Sequence, residues 1–137
     1  MKIFGVGTDI VKTNRIQKLL RKKNVLEKLF SKEEIIKCKR IKKTTNCFAK
    51  RFAAKEAFSK ALGTGISKGI KFNQIVVLNE KNGKPFIKLI ENTKKIVENK
   101  LKKKNYKILL SLTDEDKYAV AFVTISTWKK KILLKLL

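Results

Sequence analysis

Asp9 sits near the end of an apolar, β-favouring run, Ile3-Phe4-Gly5-Val6-Gly7-Thr8-Asp9-Ile10-Val11. It stands out because acids are scarce: 11 Asp and Glu face 35 Lys and Arg, a formal net charge of +24. A carboxylate in such a run has to be paired, hydrogen-bonded or metal-bound, because an isolated buried charge is very costly. A structural acid that caps the next helix or pairs with a lysine satisfies that demand as well as a metal does. The second candidate is Glu56 with Lys60, four residues apart and so on the same side of a helix. Ala49 and Ala53 continue that stripe and leave room for close approach of another element or a ligand. An ordinary i,i+4 salt bridge, worth a few tenths of a kcal/mol, fits the pair equally well. Two separated carboxylates, completed by water and diphosphate oxygens, suit magnesium, which takes hard oxygen ligands. A lysine one turn from such a ligand can neutralise charge on a phosphate in transfer. The Gly63-Thr64-Gly65 loop is weak as a phosphate cradle, since it follows a helix and lacks the glycine-lysine-serine signature.

These residues need elements to position them. Residues 3–11 read as a strand on which Gly5, Gly7 and Asp9 share one face, a face with room for a ligand. Residues 13–23 read as a short basic helix with Ile16, Leu19 and Leu20 as its apolar stripe. Ser31-Lys32-Glu33-Glu34 is a capping box that opens a helix over 32–40. The alanine-rich stretch 46–62 is the strongest helix, stopped by Gly63. Strands follow at 73–79 and 85–90, with Asn82-Gly83 marking a hairpin, then a helix over 91–103. Strands at 107–113 and 118–126 flank the acidic turn Asp114-Glu115-Asp116-Lys117. The order predicts a small α+β domain. Residues 127–137 form a basic amphipathic extension.

Composition bounds the rest. At 43% hydrophobic residues the chain can bury a real core. With no histidine, Ser-His-Asp and Cys-His catalysis are excluded, and Cys38 and Cys47 have neither CxxC spacing nor a histidine to complete a zinc site. They are expected as reduced thiols in a cytoplasmic protein. No stretch approaches the ~20 apolar residues of a spanning helix, and the N-terminus has no secretory pattern. The positive charge favours an anionic partner without choosing one. A nucleic-acid-binding module is the alternative on charge alone, but no RNA- or DNA-binding motif is present and the phenylalanines lie within apolar stripes.

Two blocks resemble the holo-acyl-carrier-protein synthase family, the bacterial phosphopantetheinyl transferases. One is Gly5-Val6-Gly7-Thr8-Asp9-Ile10-Val11 followed by Arg15-Ile16; the other runs from Arg51 through Lys55-Glu56, Ser59-Lys60 and Gly63-Thr64-Gly65 to Ile66. Asn82-Gly83-Lys84-Pro85, Ser111-Leu112-Thr113-Asp114-Glu115 and Tyr118-Ala119-Val120-Ala121 support them in order. The resemblance implies the phosphopantetheinyl transferase fold over residues 1–126, a single small α+β domain with antiparallel strands packed against a long central helix. It implies coenzyme A as substrate and transfer of its phosphopantetheine arm to a serine of apo acyl carrier protein in fatty acid biosynthesis. It implies Mg2+ on Asp9 and Glu56, Lys60 on the transferred phosphate, and Arg51 near the coenzyme A phosphates. Arg15, Lys18, Arg21 and Lys22 match the face that docks the acidic carrier, and a homotrimer with sites at subunit interfaces is the expected assembly. Many relatives carry histidine where this chain has Asp114, so Asp114 is left out of the expected site. The stretch Lys100-Leu101-Lys102-Lys103-Lys104 and the tail after Ser126 lie outside the pattern.

Overall fold

The computed structural model describes residues 1–66 and 68–131. Its centre is helix α4 (Thr44–Leu62), where 13 of 19 residues are buried, among them Phe48, Phe52, Phe58 and a run of alanines. A helix buried on nearly every side has to be covered by several elements. On one side lies a three-stranded antiparallel sheet in the order β1 (Lys2–Lys12), β5 (Tyr118–Trp128), β4 (Asn105–Glu115). Alternation sends Val11, Ala119, Ala121, Val123, Ile125 and Leu110 into the core. The other sheet, β2 (Ile75–Asn79) with β3 (Pro85–Leu89), contributes Ile75, Val77 and Leu89 to the same core.

The smaller helices close the remaining faces. Helix α1 (Thr13–Leu20) buries Ile16, and α2 (Val25–Leu29) leads to Phe30, whose ring meets Phe48 at 4.8 Å. Helix α3 (Lys32–Lys39) opens with the expected capping box, Ser31 and Glu34 each satisfying the other's backbone N–H. A 3-10 turn (Phe72–Gln74) precedes β2, and α5 (Glu91–Lys100) follows β3.

Several boundaries differ from the sequence reading. The first helix stops at Leu20 rather than residue 23, because Asn24 takes a left-handed conformation (φ 63°) and starts the unforeseen α2. Helix α5 ends at Lys100, as Lys102 and Lys103 are also left-handed. Strand β5 runs on to Trp128, two residues into the stretch read as an extension; residues 132–137 of that stretch lie outside the described residues. Cys38 and Cys47, expected as thiols, form a disulfide, because α3 and α4 bring their Cα atoms to 5.4 Å. No helix among the described residues is long and apolar enough to cross a membrane.

Candidate active site

Strand β1 meets α4 through its glycines. A Cβ on Gly7 would run into the carbonyl oxygen of Ala57, and one on Gly5 into that of Ala61. The glycine face therefore holds the helix backbone and not a ligand, which corrects the sequence reading. Small residues on both sides bring the two backbones together, and the next position on that face of β1 is Asp9. The result is a carboxylate from the strand beside two charged side chains of the helix.

Lys60 Nζ donates to Asp9 Oδ1 at 3.1 Å and to the carbonyl oxygen of Thr8 at 3.0 Å. The Lys60 side chain is 54% exposed and that of Asp9 17%, so the acid is largely sheltered while the ammonium faces solvent. Glu56 stands one helical turn before Lys60. Its carboxyl is pushed above the ordinary carboxylate range, first by burial and then by the Asp9 carboxylate, with Lys60 and Arg15 opposing. A partly buried Glu56 carboxyl whose ionisation the neighbouring Asp9 carboxylate opposes forms a site that a divalent cation relieves. Among the described residues no cluster of three or more His, Cys, Asp or Glu exists, so this chain offers such a cation two carboxylates. The remaining positions fall to water and substrate oxygens, a donor set that suits magnesium. Arg15 lies at the rim, its guanidinium carbon 5.9 Å from the Phe52 ring centre. Lys18, Arg21 and Lys22 are exposed along and just beyond α1. Asp9, Glu56, Lys60 and Arg15 are thus brought together.

Arg51 is not with them. It precedes Glu56 by five residues and Lys60 by nine, about 140° and 180° around a helix of 3.6 residues per turn. It is 4% exposed and turns to a cavity of about 620 Å³ lined by Lys37, Lys42, Lys43, Asn46, Lys50 and Asn79, among others. Two cations converge on one neutral acceptor there: Lys37 Nζ and Arg51 Nη2 donate to Asn79 Oδ1 at 2.6 and 3.1 Å. The Arg51 Nε is buried without a partner. Burial and the Arg51 charge together pull the Lys37 ammonium below its ordinary range. Such an excess of sheltered positive charge suits a phosphorylated ligand. Asp114 ties the cavity's edge, accepting from Asn46 at 2.9 Å and pairing with Lys50 at 3.2 Å. These contacts hold its carboxyl below the usual range, the Asn46 hydrogen bond most of all.

A model of the 4′-phosphopantetheinyl transferase superfamily matches residues 5–123. The chain belongs to that superfamily. A holo-acyl-carrier-protein synthase of Pelagibacter ubique is 46% identical over 123 residues, covering 90% of this chain and 96% of the relative. The crystal structure of the Neisseria meningitidis synthase superposes with a TM-score of 0.81 at 35% identity, covering 90% of this chain and 98% of that one. A Bacillus anthracis synthase solved in complex with CoA (3′,5′-ADP) gives 0.74 at 35%, covering 91% and 97%.

Within this superfamily member, sequence reasoning missed a buried pair behind the site. Lys55 is wholly buried and donates to Glu34 Oε1 at 2.7 Å and to the carbonyls of Leu29 at 2.7 Å and Phe72 at 2.9 Å. Burial drags its pKa to about 8 against the pull of Glu34. The second Glu34 oxygen accepts from the Val77 N–H. One ammonium therefore ties α4 to α3, to the end of α2 and to the 3-10 turn. The capping box revealed Glu34, but only as a cap.

Proposed function

We propose that this chain transfers the 4′-phosphopantetheine arm of coenzyme A to a serine of apo acyl carrier protein, releasing adenosine 3′,5′-bisphosphate and supplying holo carrier for fatty acid biosynthesis. The observation that carries the reading is the meeting of Asp9, Glu56 and Lys60 where β1 presses on α4, in a chain of this superfamily. The residues fit Mg2+: Asp9 and Glu56 would hold it, and when bound it supplies charge neutralisation for the diphosphate of coenzyme A. Lys60 faces solvent beside Asp9, where its ammonium can meet the transferred phosphate. The carrier's serine oxygen attacks the phosphorus that bears the pantetheine arm, and its hydroxyl proton passes to water. The bond from that phosphorus to the bridging oxygen of the diphosphate breaks, and adenosine 3′,5′-bisphosphate leaves with the electron pair. Positioning and electrostatics carry most of such a reaction.

Arg15, Lys18, Arg21 and Lys22 present an exposed cationic face to an acidic carrier, and Arg15 also reaches the electrostatics of Glu56. The cavity around Arg51 suits the nucleotide phosphates. Arg51 and Glu56 leave α4 on nearly opposite sides, so a single ligand spans the two features most simply across neighbouring copies. The outer face of the three-stranded sheet exposes Val6, Ile10, Leu109 and Phe122, the kind of apolar surface that covers itself by association. A homotrimer in the cytoplasm with sites between subunits is the assembly proposed. The test is mass spectrometry of apo carrier protein incubated with this chain, coenzyme A and magnesium. A gain of one phosphopantetheine is expected; an unchanged carrier mass would refute the reading.

A further inference from the structure

The Cys38–Cys47 disulfide lies in the wall of the basic cavity. Its partners are nine residues apart, and the chain between them carries Lys42 and Lys43, both exposed and both lining that cavity. Lys37 and Asn46, one residue before each cysteine, line it as well. Local backbone bonds and the Thr44 hydroxyl bond to the Ile41 carbonyl shape the loop. Among the described residues its ties to charged groups elsewhere in the fold are the Asn46 bond to Asp114, at 2.9 Å, and Lys43 to Asp116, at 3.9 Å between side chains 71% and 90% exposed. An exposed pair of that kind adds little. The disulfide is the covalent link between α3 and α4 at this rim, where the Asn46–Asp114 bond holds the start of α4 and the loop carrying Lys42 and Lys43 has little else to fix it. Cys38 is 0% and Cys47 3% exposed, and only Cys47 lines the cavity, where its Sγ accepts from Arg51 Nη1 at 3.1 Å.

We propose that Cys38–Cys47 is a reversible thiol–disulfide site that sets how tightly the basic cavity holds a phosphorylated nucleotide. The proposal rests on the reading of that cavity as the nucleotide site. A thiolate of a small dithiol enters from the cavity and attacks Cys47 Sγ. The Cys38–Cys47 bond breaks, Cys38 leaves as a thiolate and takes up a proton. The reagent's second thiol, as its thiolate, then attacks the reagent sulfur of the mixed disulfide and expels Cys47 as a thiolate beside Arg51. The dithiol is oxidised by two electrons to its cyclic disulfide, and the protein gains two thiols. A cationic neighbour favours the departing Cys47 thiolate. With the bond broken, the loop carrying Lys42 and Lys43 regains freedom that binding has to remove, which weakens the ligand. A disulfide in a cytoplasmic enzyme is characteristically a redox-responsive one.

The test is calorimetric titration of adenosine 3′,5′-bisphosphate into the full chain, air-oxidised and then reduced with dithiothreitol. The thiol count of each form is established by alkylation in denaturant and mass spectrometry. The dissociation constant is expected to rise on the order of tenfold on reduction. Cys38→Ser should bind like the reduced form and ignore dithiothreitol, and bound bisphosphate should slow reduction of the wild type. Equal affinity in both forms, or two alkylatable thiols in the oxidised protein, overturns the proposal while leaving the nucleotide reading standing. No binding in either form overturns both. Should Cys38→Ser fail to fold, the wild-type comparison decides alone.

Discussion

Gly7→Ala tests how the site is assembled. The added Cβ would lie 2.7 Å from the Ala61 nitrogen and 2.9 Å from the Ala57 carbonyl carbon, with the Ala57 oxygen nearer still. Ordinary contact begins at about 3.5 Å, so α4 must retreat from β1 by about 1 Å or more. That retreat draws Glu56 and Lys60 away from Asp9, whose bond to Lys60 spans 3.1 Å. Misplacement by about 1 Å costs a reaction on the order of 100-fold, equivalent to ~2.7 kcal/mol at the transition state. Overpacking of this kind costs the fold about 1–3 kcal/mol, which leaves a 137-residue domain folded. The assay is the initial rate of carrier modification at saturating coenzyme A, beside a urea unfolding curve. Gly69→Ala is the control: it strains a left-handed position (φ +87°) and meets side-chain tips alone, Ile96 at 3.0 Å and Asn92 at 3.8 Å. It should lose stability and keep its turnover. If Gly7→Ala turns over within twofold of wild type, the account of why the glycines are there is wrong.

Glu56→Gln should lower transfer by about two to three orders of magnitude, yet raise stability at neutral pH without metal. Its carboxyl is pushed up in the fold, so ionisation costs stability above that raised value and nothing below the unfolded one; the gain should vanish as pH falls through the window between them. Urea curves across that range check the sign. Arg15→Glu with Arg21→Glu should raise the KM for carrier protein about tenfold or more and hardly change that for coenzyme A; equal effects would argue against docking on that face. Lys55→Met strands the Glu34 carboxylate and the carbonyls of Leu29 and Phe72 in the interior. A loss of about 3–5 kcal/mol is expected from urea unfolding.

Asp9, Glu56 and Lys60 could be picked out because acids are rare in this chain and a four-residue spacing has a fixed geometric meaning on a helix. The strand and the long helix followed from alternation and alanine content, and the capping box placed the start of α3. Alternation says which side of a strand Gly5 and Gly7 face, but not what covers that side; the answer, the backbone of α4, is a tertiary fact. The cationic cavity was hidden for the opposite reason to Asp9, since Lys37, Lys42, Lys43 and Lys50 have no contrast among so many lysines. The Lys55–Glu34 pair joins positions 21 apart with no periodic relation. Cys38 and Cys47 resemble no motif, and only the packing of α3 on α4 brings them together. Helix ends moved where Asn24, Lys102 and Lys103 adopt left-handed conformations that residue type alone does not announce.

The central claim is that Asp9 and Glu56 share one divalent ion in the presence of coenzyme A. Electron paramagnetic resonance of Mn2+ titrated into the coenzyme A-saturated protein measures this directly. One saturable site per chain is predicted for the wild type, displaced by Mg2+ and lost in both Asp9→Asn and Glu56→Gln. Undiminished Mn2+ binding in the two variants would contradict it.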